Sequence, residues 1–163
     1  MATIIFLEEN GESQVLTEIA NIAQMGIAGD SDAEQLAKYI RQGLRQLARV
    51  GIPPNKKSIM TGTEDATGHP RTFNLLKPIV GIDGIPLMEF RINRSTPGAF
   101  RAIFFTYQYH GEQIIIFTKA VLKKGNPNPP EFQVAITESI RMYHEFTKDP
   151  INSLSDYLEE END

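Results

Sequence analysis

Apolar and polar positions along the chain follow two periods, which separate helical from extended segments. Residues 3–7, TIIFL, are β-branched and aromatic and predict a short first strand. In the following segment, SQVLTEIANIAQMG, apolar residues recur every three or four positions up to about Gly26, which is the spacing of one helix face. A second helix is predicted from Ser31, which forms a capping-box pattern with Glu34, to the Gly-Ile-Pro-Pro sequence at residues 51–54.

The second predicted helix has an apolar face and a cationic face. Lys38, Arg41, Arg45 and Arg49 follow one another at steps of three or four residues, so their side chains project as one ridge. One interpretation is an ordinary solvated face. The other interpretation is a surface that binds RNA or an acidic partner, in which Arg41 and Arg45 are RNA-binding residues.

The second half of the chain has the pattern of a sheet followed by a helix. Residues 55–72 lack periodicity and predict a long loop. Strand patterns occupy four segments, at residues 73–79, 87–93, 99–109 and 113–122. Turn residues between them predict an antiparallel meander, and Pro130 is suited to the first turn of a helix that runs to about Phe146. The expected fold is α+β: a small antiparallel sheet packed with an N-terminal helical hairpin and a C-terminal helix.

Composition limits the class of protein. A chain of 163 residues with 40% apolar content is expected to form one domain. The N-terminus meets acidic residues after a few apolar ones, which argues against a signal peptide or a membrane span and favours a cytoplasmic protein. The absence of cysteine excludes disulfides and thiol catalysis, and His69, His110 and His144 are scattered, so neither a metal nor a cofactor is expected.

The net charge of −5 is unevenly distributed. Residues 86–146 hold seven basic and five acidic side chains, whereas residues 147–163 hold one and six. Residues 147–163 therefore account for the whole net negative charge of the chain. The segment predicted as sheet is mildly basic. The expected organisation is a single domain over residues 1–147 and a disordered acidic tail over 148–163.

Strand alternation places several cations on one sheet face. Met88, Phe90 and Ile92 face one way, while residues 89, 91 and 93 face the other. If the apolar set packs on the helices, Arg91, Arg101 and Lys119 form a cationic patch on an open face, which suits a phosphate backbone with unstacked bases. The alternative is that Arg91 pairs with Glu89, two residues away on the same face, or with an acid on a neighbouring strand, and that Lys123 and Lys124 only solubilise a turn.

The order of five sequence pieces carries a family resemblance. LLKP, LMEFRIN, FRAIFF, IIIFTKAVLKK and PPEFQVA follow one another within residues 73–146. This order resembles the phage-derived HigB-like toxins of the RelE superfamily. The resemblance implies a type II toxin that cleaves messenger RNA on the ribosome without a metal, by attack of a ribose 2′-hydroxyl on the adjacent phosphate. It also implies a cognate antitoxin, a small helix-turn-helix protein.

The resemblance implies roles for individual residues. Arg91 and Arg101 match arginines of the family's strands, and Arg101 is the first choice for holding the phosphate. Lys123 and Lys124 match the paired basic residues that clamp phosphate after the third strand. Such chemistry needs cations at the phosphorane, a base near the 2′-hydroxyl and an acid near the leaving 5′-oxygen.

The chain departs from the family at the proton-transfer position. Phe132 stands where RelE has a tyrosine, and phenylalanine cannot move a proton. Tyr143 and His144 are the candidate substitutes, although Tyr143 lies on the apolar stripe of its helix and His144 borders it. The alternative function is therefore a non-catalytic, phage-encoded binding or host-interaction protein on the same scaffold.

Overall fold

A computed structural model describes residues 1–125 and 129–158. Over these residues the chain forms seven strands and four helices. The strands are β1 Ala2–Phe6, β2 Ile59–Thr63, β3 Pro70–Asn74, β4 Leu76–Pro78, β5 Met88–Ile92, β6 Ala99–Tyr109 and β7 Glu112–Lys123, and the helices are α1 Gln14–Ile27, α2 Ser31–Val50, α3 Pro130–Lys148 and α4 Pro150–Leu154. None of the helices in the described ranges is long and apolar enough to cross a membrane.

Five of these strands form the main sheet, in the order β1-β7-β6-β5-β4. Strands β4 to β7 pair antiparallel, which confirms the predicted meander. Strand β1 pairs parallel with β7, with Ala2 opposite Gln113, so the prediction of an entirely antiparallel sheet is wrong. The apolar pattern of a lone strand marks which residues are buried and carries no information about strand direction. The α+β class is confirmed.

Helices cover both faces of the main sheet. On one face, α1 and α2 bury residues such as Leu36 and Ile40 against Phe90 and Phe104 of the sheet. On the other face, α3 packs mainly on β7 and β6 and contributes Phe132, Ala135 and Phe146 to a second core. The face that carries Arg101 is therefore not open, as the sequence suggested. Burial from both sides also explains the uninterrupted apolar run at residues 114–117.

The segment predicted as a long loop forms a hairpin instead. Strands β2 and β3 pair antiparallel as a second, two-stranded sheet, so the loop prediction for residues 55–72 is wrong. Only Met60 and Phe73 bring large buried apolar side chains to it, and its exposed positions hold threonines, so its sequence lacks a strong strand pattern. The hairpin lies against α2, where a Cβ added to Gly62 would be 2.6 Å from the Tyr39 ring.

The start of the acidic tail is ordered. Leu154 of α4 is 1% exposed and joins the α3-side core. Beyond it, the Tyr157 hydroxyl oxygen accepts a hydrogen bond from the Glu8 amide at 2.9 Å. The prediction of a disordered tail is therefore wrong for residues 148–158, because Leu154, Tyr157 and Leu158 pack into the α3-side core and anchor this segment. Residues 159–163, which carry the rest of that prediction, lie outside the described residues.

An ion-pair network ties the start of α2 to the hairpin and to the β5–β6 connection. Arg94 contacts Asp32 at 3.0 Å and Glu64 at 2.8 Å. The Tyr39 hydroxyl donates to Glu64, and the Thr96 hydroxyl donates to Asp32 at 2.9 Å. Burial, followed by the hydrogen bond to Glu64, raises the pKa of Tyr39 to about 12.

This network predicts a specific loss of stability in acid. Burial alone would raise the pKa of Glu64, but hydrogen bonds from Tyr39 and Arg94 outweigh it and lower that pKa. A lowered folded-state pKa stabilises the native state above the unfolded-state pKa, and this contribution disappears as the pH falls through the folded value. In the Glu64→Gln variant, the free energy of unfolding should therefore decrease less between about pH 6 and pH 3 than in the natural protein. Urea titrations of both proteins across this range test the expectation, and equal pH dependence would contradict it.

Candidate functional site

Five charged side chains lie together on the α3 face of the main sheet. They are Lys77, Glu89, Arg91, Arg101 and Lys123, and we call them the cationic cluster. Strand pairing sets Lys77 opposite Glu89 and Arg91 opposite Arg101. Among the described residues, the cluster therefore combines four cations with one carboxylate, so its net charge is strongly positive.

Arg101 is the buried centre of the cationic cluster. The residue is 8% exposed, and its Nε lies 3.3 Å from a carboxylate oxygen of Glu89. Its guanidinium also donates to the Asn93 side-chain oxygen at 2.5 Å and to the Phe100 carbonyl at 3.0 Å. Burial, and then the neighbouring charge of Arg91, lower the pKa of Arg101 to about 10, so it is still protonated at neutral pH. The side chain is thus held in one orientation.

Arg91 lacks the partners that Arg101 has. Like charges directly opposite one another on a sheet destabilise it, and Arg91 faces Arg101 in this way. The Nε atom of Arg91 is buried and has no hydrogen-bond partner among the described residues. A buried donor without a partner is costly and rare in native proteins. An anion bound to the accessible part of the half-buried Arg91 side chain would offset the repulsion between the two guanidinium groups.

Lys123 joins the cluster because β7 contains a β-bulge. Ile114 and Ile116 face α3, so strict alternation would turn Lys123 away from α3. The register shifts between Ile103 and Phe104 of β6, which leaves Thr118 as an extra residue on β7. Its hydroxyl donates to the Ile103 carbonyl at 3.1 Å and lies 2.6 Å from the Ser139 hydroxyl of α3.

The bulge exchanges the positions of the two lysines at the end of β7. The Lys123 ammonium lies 4.4 Å from the centre of the Phe132 ring. Burial lowers the pKa of Lys123, and the charge of Arg101 lowers it further. Lys124 is exposed on the opposite side, where its charge acts on Glu18 of α1. The predicted pair of phosphate clamps is therefore divided, and Lys124 does not lie in the cationic cluster.

Tyr143 and His144 lie away from the cationic cluster. Tyr143 packs edge-on against Phe105, with ring centres 5.0 Å apart. Phe105 is four residues from Arg101 on β6, which corresponds to about 13 Å at the rise of a strand. His144 is exposed next to Tyr143. Neither side chain is placed to exchange a proton with a group bound at Arg101, contrary to the roles predicted for them.

The other predicted RNA-binding residues occupy different surfaces. Lys119 is paired with Glu9 at 3.3 Å and with Glu138 at 3.1 Å, so its charge is already compensated. Arg41 and Arg45 are exposed on α2, which covers the opposite face of the main sheet. The structure thus brings together Arg91, Arg101 and Lys123, and it leaves Lys119, Lys124, Arg41 and Arg45 outside this group.

The cationic cluster is suited to a phosphate group. Guanidinium groups offer paired donors that match phosphate oxygens, and their partial burial strengthens such contacts. Phe132 beside Lys123 adds an aromatic ring at the rim. In the ranges that the structure describes, no group of three or more His, Asp or Glu side chains is arranged to hold a metal ion.

Sequence reasoning missed two components of this site. It did not include Lys77, although the alternation in LLKP places this lysine opposite the apolar face of a short strand. It considered Glu89 as a local partner for Arg91, whereas Glu89 pairs across the strands with Arg101. Pairing between strands depends on register, which a single sequence does not specify.

Comparison with known proteins identifies no family for this chain. No protein-family model matches the chain, and neither a curated protein nor a solved structure matches it. The function is therefore inferred from the geometry and chemistry of the cationic cluster, together with the resemblance carried by residues 73–146.

Proposed function

We propose that the chain is a toxin of the RelE/HigB type, a metal-independent and ribosome-dependent messenger RNA endoribonuclease that a small helix-turn-helix antitoxin silences. The observation that carries this proposal is the cationic cluster, with a buried Arg101 and an unpaired donor on Arg91. The sequence resemblance over residues 73–146 supports it. The cluster lies in an α+β scaffold with a helical hairpin on one face of the main sheet and α3 on the other.

In this proposal the cluster holds the scissile phosphate. Arg101 is oriented in advance by Glu89 and Asn93, so little reorganisation is needed when a phosphate binds. Arg91 supplies a second guanidinium opposite Arg101, and Lys123 adds charge at the rim. As the 2′-hydroxyl attacks, negative charge grows on the phosphorane oxygens, and fixed cations stabilise it more than they stabilise the ground state.

Induction in bacteria tests the proposal. The natural chain should arrest growth, and primer extension should reveal cuts inside translated messages. Arg101→Lys keeps the charge but loses the planar fork, so it should reduce cleavage strongly. Intact growth and uncut messages during expression of the natural chain, with folding verified by circular dichroism, would contradict the enzymatic proposal.

The second candidate is a non-catalytic RNA-binding or host-interaction protein on the same scaffold. It is favoured by one observation, the absence of a tyrosine or histidine from the cationic cluster as the described residues define it. Binding without cleavage separates the two candidates. If the purified chain binds messenger RNA fragments and yields no cut messages with translating ribosomes, the second candidate is the correct one.

The α2 ridge gives a separate prediction for RNA affinity. Arg41 and Arg45 are exposed one helical turn apart, which places their Cβ atoms about 6 Å from each other on one face of α2. If both contact RNA phosphates, Arg41→Gln with Arg45→Gln should reduce the slope of log affinity against log salt by about 1.4. Fluorescence anisotropy at several salt concentrations measures this slope. The matched control is Lys56→Gln with Lys57→Gln, exposed lysines that follow α2, and an equal change in both pairs would show a diffuse electrostatic effect.

A further inference from the structure

One edge of β7 is open along the last part of the strand. Pairing with β1 ends at Phe117, apart from one further hydrogen bond from the Leu7 amide to the Phe117 carbonyl. Three residues later, the Gln14 side chain takes the place of a neighbouring strand. Its amide accepts from the Ala120 N–H at 2.7 Å and donates to the Ala120 carbonyl at 2.8 Å. The edge is therefore partly satisfied by a side chain rather than by a strand.

Among the described residues, no group pairs with the next position along this edge. The backbone N–H and carbonyl of Ala120 point away from β6. In an antiparallel strand these groups point in the same direction at every second residue, so those of Leu122 also point away from β6. Leu122 thus presents one donor and one acceptor to the open edge. No side-chain hydrogen bond, and no backbone hydrogen bond outside the regular strand pairing, reaches Leu122 from the described residues.

The open edge lies at the bottom of a groove between α1 and α3. A cleft of about 590 Å³ is lined by Gln14, Glu18 and Lys124 on the α1 side and by Pro130 and Glu131 at the start of α3. An adjoining cleft of about 370 Å³ on the α3 side is lined mainly by the apolar Pro130, Val134 and Ala135, together with the carboxylates of Glu131 and Glu138. Val134 is 56% exposed although it is a large apolar side chain. One wall of the groove is therefore polar and acidic, and the other is largely apolar.

Glu18 gives the polar wall its charge preference. This half-buried carboxylate has no hydrogen bond or ion pair within 4 Å among the described residues. Burial raises its pKa, and the more distant charge of Lys124 offsets only part of that rise. A cation brought beside Glu18 would compensate a carboxylate that the fold itself leaves unpaired.

The geometry points to a docking groove for an extended segment of a partner protein, which adds a short strand beside Leu122. Side chains alternate along such a strand, so successive residues would face the apolar wall and the acidic wall in turn. The segment should therefore alternate apolar and basic residues. A second copy of this chain does not fit, because its own edge lies equally deep between α1 and α3. This inference does not depend on the proposed ribonuclease function.

Synthetic peptides test the inference on the full chain. The probe is valine-lysine-valine-lysine-valine with blocked ends, and the comparison peptide replaces both lysines by glutamate. Nuclear magnetic resonance should show shifts of the Leu122 amide at about 5 mM lysine peptide, with slower hydrogen exchange at that amide. Glu18→Gln should weaken binding about fivefold, whereas Glu12→Gln, an exposed carboxylate outside the groove, should not.

Three outcomes would overturn the inference. The first is an unshifted Leu122 amide at the highest concentration of the lysine peptide. The second is equal binding of the lysine and glutamate peptides, or equal effects of the two glutamate substitutions. The third is a concentration-dependent shift of Leu122 without any peptide, which would identify a second copy of the chain as the occupant.

Discussion

Arg91→Gln is expected to weaken RNA binding by about tenfold or more and to abolish messenger RNA cleavage, without destabilising the fold. In the proposed function the Arg91 guanidinium contacts the phosphate held at the cationic cluster, so its loss removes these contacts. It also removes one of two like charges that face each other across β5 and β6, so the free energy of unfolding should stay level or rise. Anisotropy with a labelled RNA and urea titration measure the two effects.

The matched control for Arg91→Gln is Lys124→Gln. This substitution removes the same charge near the same end of the sheet, on the side that faces α1. It should change RNA affinity little beyond a general electrostatic effect. Equal losses in both variants would mean that RNA is attracted by overall charge and that the cationic cluster is not its site.

Phe117→Ala is expected to produce the largest loss of stability, about 3–5 kcal/mol. The Phe117 ring is fully buried in the core between the main sheet and the helical hairpin. Its ring centre lies 5.5 Å from that of Phe6, 6.1 Å from that of Phe90 and 5.3 Å from that of Phe104. A domain is stable by only about 5–15 kcal/mol, so the variant should be close to unfolding at ambient temperature.

Urea denaturation followed by circular dichroism tests this second prediction. Val80→Ala is a suitable control, because Val80 is 84% exposed and its truncation removes little buried surface. A loss below about 1 kcal/mol for Phe117→Ala would indicate that the aromatic core repacks around the missing ring.

The sequence predicted those parts of the fold in which local pattern and burial agree. The strand predicted at residues 99–109 matches β6, and α3 starts at Pro130 as expected. Helix α2 begins at Ser31 as predicted, but its N-cap is Asp30 rather than Ser31, and the Asp30 side chain accepts from the Ala33 amide. The β2–β3 hairpin was missed because its stability depends on contacts with α2, such as those of Gln46 with Ser58, and these are absent from its own pattern.

The candidate site was predictable to the extent that it depends on alternation within a strand. Arg91 and Arg101 share a face by this rule, and the structure places them directly opposite each other. Lys124 was misplaced because the β-bulge at Thr118 exchanges the two faces, and nothing in the apolar run before it marks an extra residue. Whether a catalytic group lies near the cluster depends on the position of α3 across the sheet, which is a tertiary property.

The parallel pairing of β1 with β7 also sets the order in which the protein can assemble during its own synthesis. The first strand has to wait until residues 113–117 leave the ribosome before its partner exists. Contacts this distant in sequence slow folding, and the early helices have no sheet to cover until then. Nascent chains shorter than this should stay open to proteases, so the main sheet, and with it the complete cationic cluster, forms only after β7 has left the ribosome.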